Sequence, residues 1–230
     1  MTRSSALLLP GVTFVVLWEK LGLGELPRAL FLPSPGRTVD ERAHIEHAVA
    51  VELTRAGFGA GGAADHDLVR TLRLLAKPAY EYYGWAIPAA GPAFSVLAAT
   101  NGQQAVLAKL IGTAVELRPA DPGHPAMAVA AELPEVPPGT GPVTLPSHSL
   151  AAFEHATGAK VTGHGQLFAA RRDRLGRRWQ FPHAIEYVDT THGRWLLRRA
   201  TDGGPTSALL GVAEVVAAEL DHAARRCSGR

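Results

Sequence analysis

YVDTTHGRWLLRRATD, residues 187–202, decides the fold. Its centre sets Asp189, Thr190, Thr191 and His192 beside Gly193 and Arg194, between two apolar arms. Two readings compete: a loop presenting an acid, a hydroxyl and an imidazole, or a tight turn joining two strands. A second stretch separates them. AATNGQQAVLAK (98–109) lies over VDTTHGRWLLRR (188–199) with Thr100 on Thr191, Asn101 on His192 and Gly102 on Gly193. Ala98 and Ala99 stand where the acid would be, so a hairpin explains both stretches and a catalytic loop only one. Glycine supplies the positive φ of a tight turn, and Asn-Gly between apolar arms is a strong hairpin signal.

Outward from these turns the echo continues, with AVAAEL (128–133) answered by VVAAEL (215–220). Each half reads helix, strand hairpin, helix, which predicts an internal duplication. Between them PEVPPGTGPVTLP (134–146) reads as a stiff, extended linker. The expected organisation is one domain over 1–230, with halves at about 1–133 and about 147–230.

The apolar run over Val12–Trp18, rich in β-branched and aromatic residues, predicts a buried first strand. TVDE then opens a helix: Thr38 caps the Glu41 amide, Ile45, Val49 and Leu53 form one stripe, and Gly57 ends it. Asp65 or Asp67 caps a second helix carrying Leu68, Leu72 and Leu75, stopped by Pro78. Strand-like pattern fills 82–117, and Pro125 starts a short helix. Ser147 or Ser149 caps a helix with Leu150 and Phe153, and strand pattern returns from 165 to 199. Thr206 or Ser207 opens a last helix to about Arg225, apolar through Leu209, Leu210, Val212, Val215, Val216 and Leu220. That girth exceeds one stripe, so the helix either lies at the centre of a bundle or offers a face to a partner.

Composition excludes several classes. A chain of 230 residues, 47% hydrophobic and 19% charged, is globular. A net charge of +2 is too small for an obligate nucleic-acid binder. Cys227 is the single cysteine, so no disulfide forms within the chain, as suits a reducing compartment. Pro10 and Gly11 break the leading apolar run, Glu19 and Lys20 follow it, and it is too short to span a bilayer, so a cytoplasmic, soluble protein is expected. The helix carries HIEH (44–47), but HExxH is lacking and no third metal ligand is evident. GFGAGG (57–62) follows a helix rather than a strand, as a dinucleotide loop would not. Asp189, His192 and Ser147 or Ser149 make a triad only on paper, in a chain with ten histidines. RRDRLGRR (171–178) holds five Arg before Trp179, and a basic ribbon of this kind can enter a nucleic-acid groove. A solvated hairpin tip explains it equally, so nucleic-acid binding through 171–178 is the alternative function.

GQLFAARRDRLGRRWQFPHAIEYVDTTHGRWLLRRATDG (165–203) resembles the EspG family, cytosolic chaperones of actinobacterial type VII (ESX) secretion. The matching positions are Gly165, Gln166, Asp189, Thr190, Gly193, Arg194, Trp195, Asp202 and Gly203. LPRALFLP, the helix start at Asp40–Arg42 and LLAKPAYE add to the likeness. It implies an α/β fold of α+β type: a central, largely antiparallel sheet flanked by helices, in two pseudo-symmetric halves. It also implies a non-enzymatic chaperone, with no cofactor or metal, that holds the apolar helical tip of PE–PPE-like secreted proteins. The segments matching the family's binding regions are 85–93 and the helices near 147–156 and 207–225. Trp85, Ile87 and Pro88 are then the loop side of the partner-binding surface, and Leu209, Leu210 and Val216 the helix side, by the helix-in-groove mode. A homodimer stays open beside that partner.

Overall fold

A computed structural model describes residues 6–60, 63–141, 143–145, 150–198 and 206–227. In chain order come β1 (Leu7–Pro10), α1 (Gly11–Lys20), a 3-10 turn (Arg28–Leu30), α2 (Val39–Arg55), β2 (Gly59–Ala60), β3 (Ala63–Ala64) and α3 (His66–Ala76). Next are β4 (Tyr80–Ile87), β5 (Phe94–Thr100), β6 (Ala105–Ile111), β7 (Ala114–Ala120) and α4 (Pro125–Ala130). Then follow β8 (Val143–Leu145), α5 (Leu150–Thr157), β9 (Val161–Arg172), β10 (Arg178–Gln180), β11 (Ile185–Thr190), β12 (Gly193–Arg198), β13 (Thr206–Leu210) and α6 (Ala213–Arg226).

All strands except β2 and β3 join one 11-stranded sheet, ordered β1-β7-β6-β5-β4-β9-β11-β12-β13-β8 with β10 beside β9. The named pairs are all antiparallel, as the α+β expectation requires. The order reads alike from both edges: an early strand on the outside, then a four-strand meander running inward. The meanders meet where β4 pairs β9, with Trp85 opposite Gln166. One residue before each of these stands a glycine that lets the backbones close in. A Cβ on Gly84 would strike the Gln166 carbonyl and Leu167; on Gly165 it would strike the Trp85 carbonyl and the Tyr187 ring.

Four local expectations are corrected. Residues 12–18 are helix α1, with Phe14 through Trp18 buried. The strand is β1 just before it, and the Gly11 amide bonds the Thr113 carbonyl as the chain turns into the helix. A short apolar run satisfies both periodicities, and this one is buried from Thr13 through Trp18. The expected helix from 206 is instead β13, paired with β12 and β8, and α6 begins only after Gly211. Leu209 and Leu210 therefore belong to a strand, and the surplus apolar girth of the helix disappears. What remains buried on α6 is one stripe, Val216, Ala217, Leu220, Ala223 and Ala224.

The stretch expected as a linker is instead tied to the sheet at several of its described residues, 134–141 and 143–145. Arg194 donates its amide to the Pro137 carbonyl (2.8 Å) and accepts from the Gly139 amide (2.8 Å), and Val143–Leu145 is an edge strand on β13. The two turns also align one residue differently. Thr100 bonds the Gln104 carbonyl (2.9 Å) and accepts from the Gly102 amide (3.0 Å). Thr190 bonds the Gly193 carbonyl (3.1 Å) and accepts from the His192 amide (3.0 Å). Thr100 thus corresponds to Thr190, and Gly102 is not the counterpart of Gly193, because the first loop is longer. Ser147, Ser149, Asp202 and Gly203 lie outside the described residues.

Candidate docking surface

Residues paired across an antiparallel sheet share a face, so the registers sort the side chains into two layers. One face carries the core of α1, α2, α3 and the 3-10 turn against Leu97, Ala99, Val106, Ala108, Val115 and Leu117. On the same face a smaller cluster sets Phe153 of α5 over Val188, Trp195, Leu197 and Ala208. The other face is closed at its centre by α4 and α6, which pack Val129 and Val216 over Tyr82, Leu167 and Tyr187. The first face is left open between its two helical layers, over β4 and β9.

Trp85 lies at the middle of that strip. The cross-strand row through it runs Leu9, Val115, Leu110, Ser95, Trp85, Gln166, Glu186, Leu197, Ala208, Val143, five residues on each side of the β4–β9 seam. Trp85 is 40% exposed and Ile87 51%, and the loop over 89–93 beyond them is exposed. Beneath Trp85 the rings of Tyr83 and Phe168 stack at 5.4 Å, and each meets the indole edge-on, at 5.7 and 5.8 Å. Phe31, just after the 3-10 turn, is 75% exposed. The Ala29 carbonyl of that turn receives the hydroxyl of Ser95, the residue paired with Trp85. The β9 and β11 side of the floor is polar, with His164, Gln166 and Glu186.

Of the six expected partner-binding residues, the fold brings three together: Trp85, Ile87 and half-buried Pro88. Leu210, 46% exposed, shares the row Ile87, His164, Val188, Trp195, Leu210, four strands or about 19 Å away. Leu209 pairs with Leu196 and faces the opposite layer, against the α6 core. Val216 is 0% exposed inside that core. The sequence reading missed Tyr83, Phe168 and Phe31. Alternation in YEYYGWAI marks two faces, yet nothing local says which face the helices leave bare.

Among the described motif residues near the C-terminus, Asp189, Arg194 and Trp195 are buried. Asp189 accepts from Arg194 through both oxygens, at 2.6 and 2.8 Å, and both residues are buried. The Arg194 guanidinium also sits 4.7 Å over the Tyr187 ring and donates to the Pro134 carbonyl (2.9 Å). Trp195 meets Phe153 edge-on at 5.4 Å and donates weakly to the Gly141 carbonyl (3.4 Å). His192 stands on an exposed turn, away from any use of Asp189 as a base. Burial raises the Tyr187 phenol well above its ordinary value, with the Asp189 charge adding to that and Arg194 opposing it. Glu46 of HIEH is held by Lys20 and Arg42, and His44 and His47 are exposed. Among the described residues no three His, Cys, Asp or Glu gather as metal ligands.

The Arg hairpin is also bound inward. Arg172 donates to the Ala76 carbonyl (3.2 Å), Arg177 pairs Asp173 (2.9 Å), and Arg178 pairs buried Glu81. Arg172 and Arg178 are thus committed to acceptors of the fold and Arg177 to its own turn, and the nucleic-acid reading is without support. Among the described residues no helix is long and apolar enough to cross a membrane.

The EspG family model matches residues 10–213. Among solved structures, the chain is similar to the Mycobacterium tuberculosis type VII secretion system chaperone EspG5, solved in complex with a PE25-PPE41 dimer. The TM-score is 0.68 at 13% identity, over 94% of this chain and 95% of that one, a likeness of fold. None of the curated proteins matches the sequence.

Proposed function

Because this chain belongs to the EspG family, we propose that it is a non-enzymatic chaperone of the cytoplasm that binds the apolar helical tip of PE–PPE-type secreted proteins and keeps them soluble for export. The observation that carries this reading is the open strip around Trp85 and Ile87, apolar on one side and polar on the other, between two helical layers. An exposed indole packed on buried Tyr83 and half-buried Phe168 is a ready anchor for an apolar helix end, because little side-chain entropy is lost when it is covered. Leu210, on the row of Ile87, extends the strip toward the far edge. The two halves, about 1–133 and about 147–230, act as one docking unit because the strip lies on the seam between them. The likeness to EspG5, whose structure holds a PE25-PPE41 dimer, supports the same partner class.

The test is co-expression of the chain with a PE–PPE-type pair followed by size-exclusion chromatography. A stable complex that Trp85→Ala and Ile87→Asp release is the expected result. Failure of the intact chain to retain any such pair, or a complex indifferent to both substitutions, overturns the reading.

A further inference from the structure

We propose that Arg178 is a positioning residue for Trp85, acting through Tyr83, and that the Arg-rich hairpin exists to deliver it. The turn over Asp173–Arg177 folds β10 back beside the end of β9, with Gln180 opposite Ala170 and Ala170 opposite Glu81 of β4. A strand presents alternate residues to one face, so Arg178 and Gln180 both reach the layer that holds Glu81 and Tyr83. There the Arg178 Nε pairs the Glu81 carboxylate, its Nη2 donates to the Tyr83 hydroxyl (3.2 Å) and its Nη1 to Gln180 Oε1 (3.1 Å). The Tyr83 hydroxyl in turn donates to Gln180 Oε1 (2.7 Å), so its proton and a lone pair are both used. The guanidinium carbon lies 5.6 Å from the centre of the Tyr83 ring. That ring, buried, is stacked on Phe168 and meets Trp85 edge-on.

A chain of fixed contacts therefore runs from the hairpin to the indole: Glu81 and Gln180 hold Arg178, Arg178 and Gln180 hold Tyr83, and Tyr83 with Phe168 sets the tilt of Trp85. The planar fork of arginine can meet three acceptors at once, whereas a lysine ammonium can keep the Glu81 pair without reaching the other two. The inference rests on the docking reading for its consequence, since only a docking surface needs an exposed indole held in one pose.

The test labels the protein with 5-fluorotryptophan, which gives a 19F signal for each of its four tryptophans, with Trp85→Phe assigning that of Trp85. Arg178→Lys and Tyr83→Phe are expected to shift and broaden the Trp85 signal while those of Trp18 and Trp195 stay in place. The neutral pair Glu81→Gln with Arg178→Met, which leaves no orphan charge, guards against misfolding and is expected to do the same. Weaker capture of a PE–PPE-type pair by Tyr83→Phe, by roughly tenfold, is the functional readout. A Trp85 signal unmoved in folded Arg178→Lys and Tyr83→Phe overturns the proposal. Capture unaffected by Trp85→Ala overturns the docking reading instead, and the 19F shifts still decide whether Arg178 fixes the indole.

Discussion

Asp189 and Arg194 form a two-pronged ion pair inside the protein, at 2.6 and 2.8 Å, five residues apart across the Thr190–Gly193 turn. The guanidinium has a third acceptor in Pro134 and an aromatic floor in Tyr187. Through its backbone, Arg194 also holds Pro137, Gly139 and Gly211. One residue thus ties the crossing segment, the hairpin and the exit of β13 together, its side chain holding the first two and its backbone the first and last. Removing the cation strands a buried carboxylate, which costs about 3–5 kcal/mol. Arg194→Met is expected to lower the melting temperature by roughly 6–20 °C for a chain of this size. Asp189→Asn added to it should recover part of the loss, because no lone charge is then buried. Urea denaturation of the parent and the two variants measures this, and an Arg194→Met protein as stable as the parent would show the pair to be dispensable.

Gly193 combines two constraints, a positive φ and a close backbone approach, of which Gly102 shares only the first. Its φ is +119°, and a Cβ there would stand 2.7 Å from the Pro137 and Pro138 backbone. At Gly102, with φ +89°, a Cβ would meet nothing within 4 Å. Gly102→Ala is expected to cost about 1 kcal/mol, from conformation alone. Gly193→Ala should cost clearly more, because the 134–141 segment must also move off the sheet. Comparing the two midpoints under the same denaturant checks the order; equal losses would contradict the close approach.

Much of the scaffold was legible in the sequence, for identifiable reasons. Thr38 caps the Glu41 amide at 3.2 Å, and Leu68, Leu72 and Leu75 are buried as their spacing predicted, because caps and stripes are local signals. Residues 12–18 and 206–210 were misassigned because short apolar stretches take the structure their neighbours impose. The Arg194 tether on 134–141 was hidden, since prolines announce an extended chain but not what it lies against. At the docking strip, β4 was read as strand-like, and its exposure depends on where two distant helical layers stop. Leu209, Leu210 and Val216 looked alike in sequence and ended on opposite sheet faces and inside a helix core.

Asp173 makes the hairpin turn sensitive to acid. Burial works against its charge, but hydrogen bonds from the Trp179 indole, the Arg177 amide and guanidinium and the Leu175 amide outweigh that and hold its carboxyl down to about 2. A depressed carboxyl stabilises the fold fully above its unfolded value, about 3.9, and loses that contribution as the pH falls toward the folded value. Between about pH 4 and pH 2 the turn over 173–177 should therefore loosen, whereas changes between pH 5 and 8 should not touch it. Carbon-detected NMR of the Asp173 carboxyl reads this directly. Titration near the ordinary carboxylate value would mean that the turn does not hold its charge.

The decisive separation is between residues that touch a partner and residues that hold the core. Trp85 and Ile87 are exposed on the open face, while Val216 is 0% exposed under Tyr82 and Leu167. Trp85→Ala should leave the melting temperature nearly unchanged yet weaken capture of a PE–PPE-type pair by about 2 kcal/mol, or roughly thirtyfold, as a central anchor does. Val216→Asp buries an unpaired carboxylate and should unfold the chain or render it insoluble, with binding lost only as a consequence. Isothermal titration and a thermal melt on both variants distinguish the two roles. A Trp85→Ala protein that melts early would place the indole among the core residues, and the open face would then need another anchor.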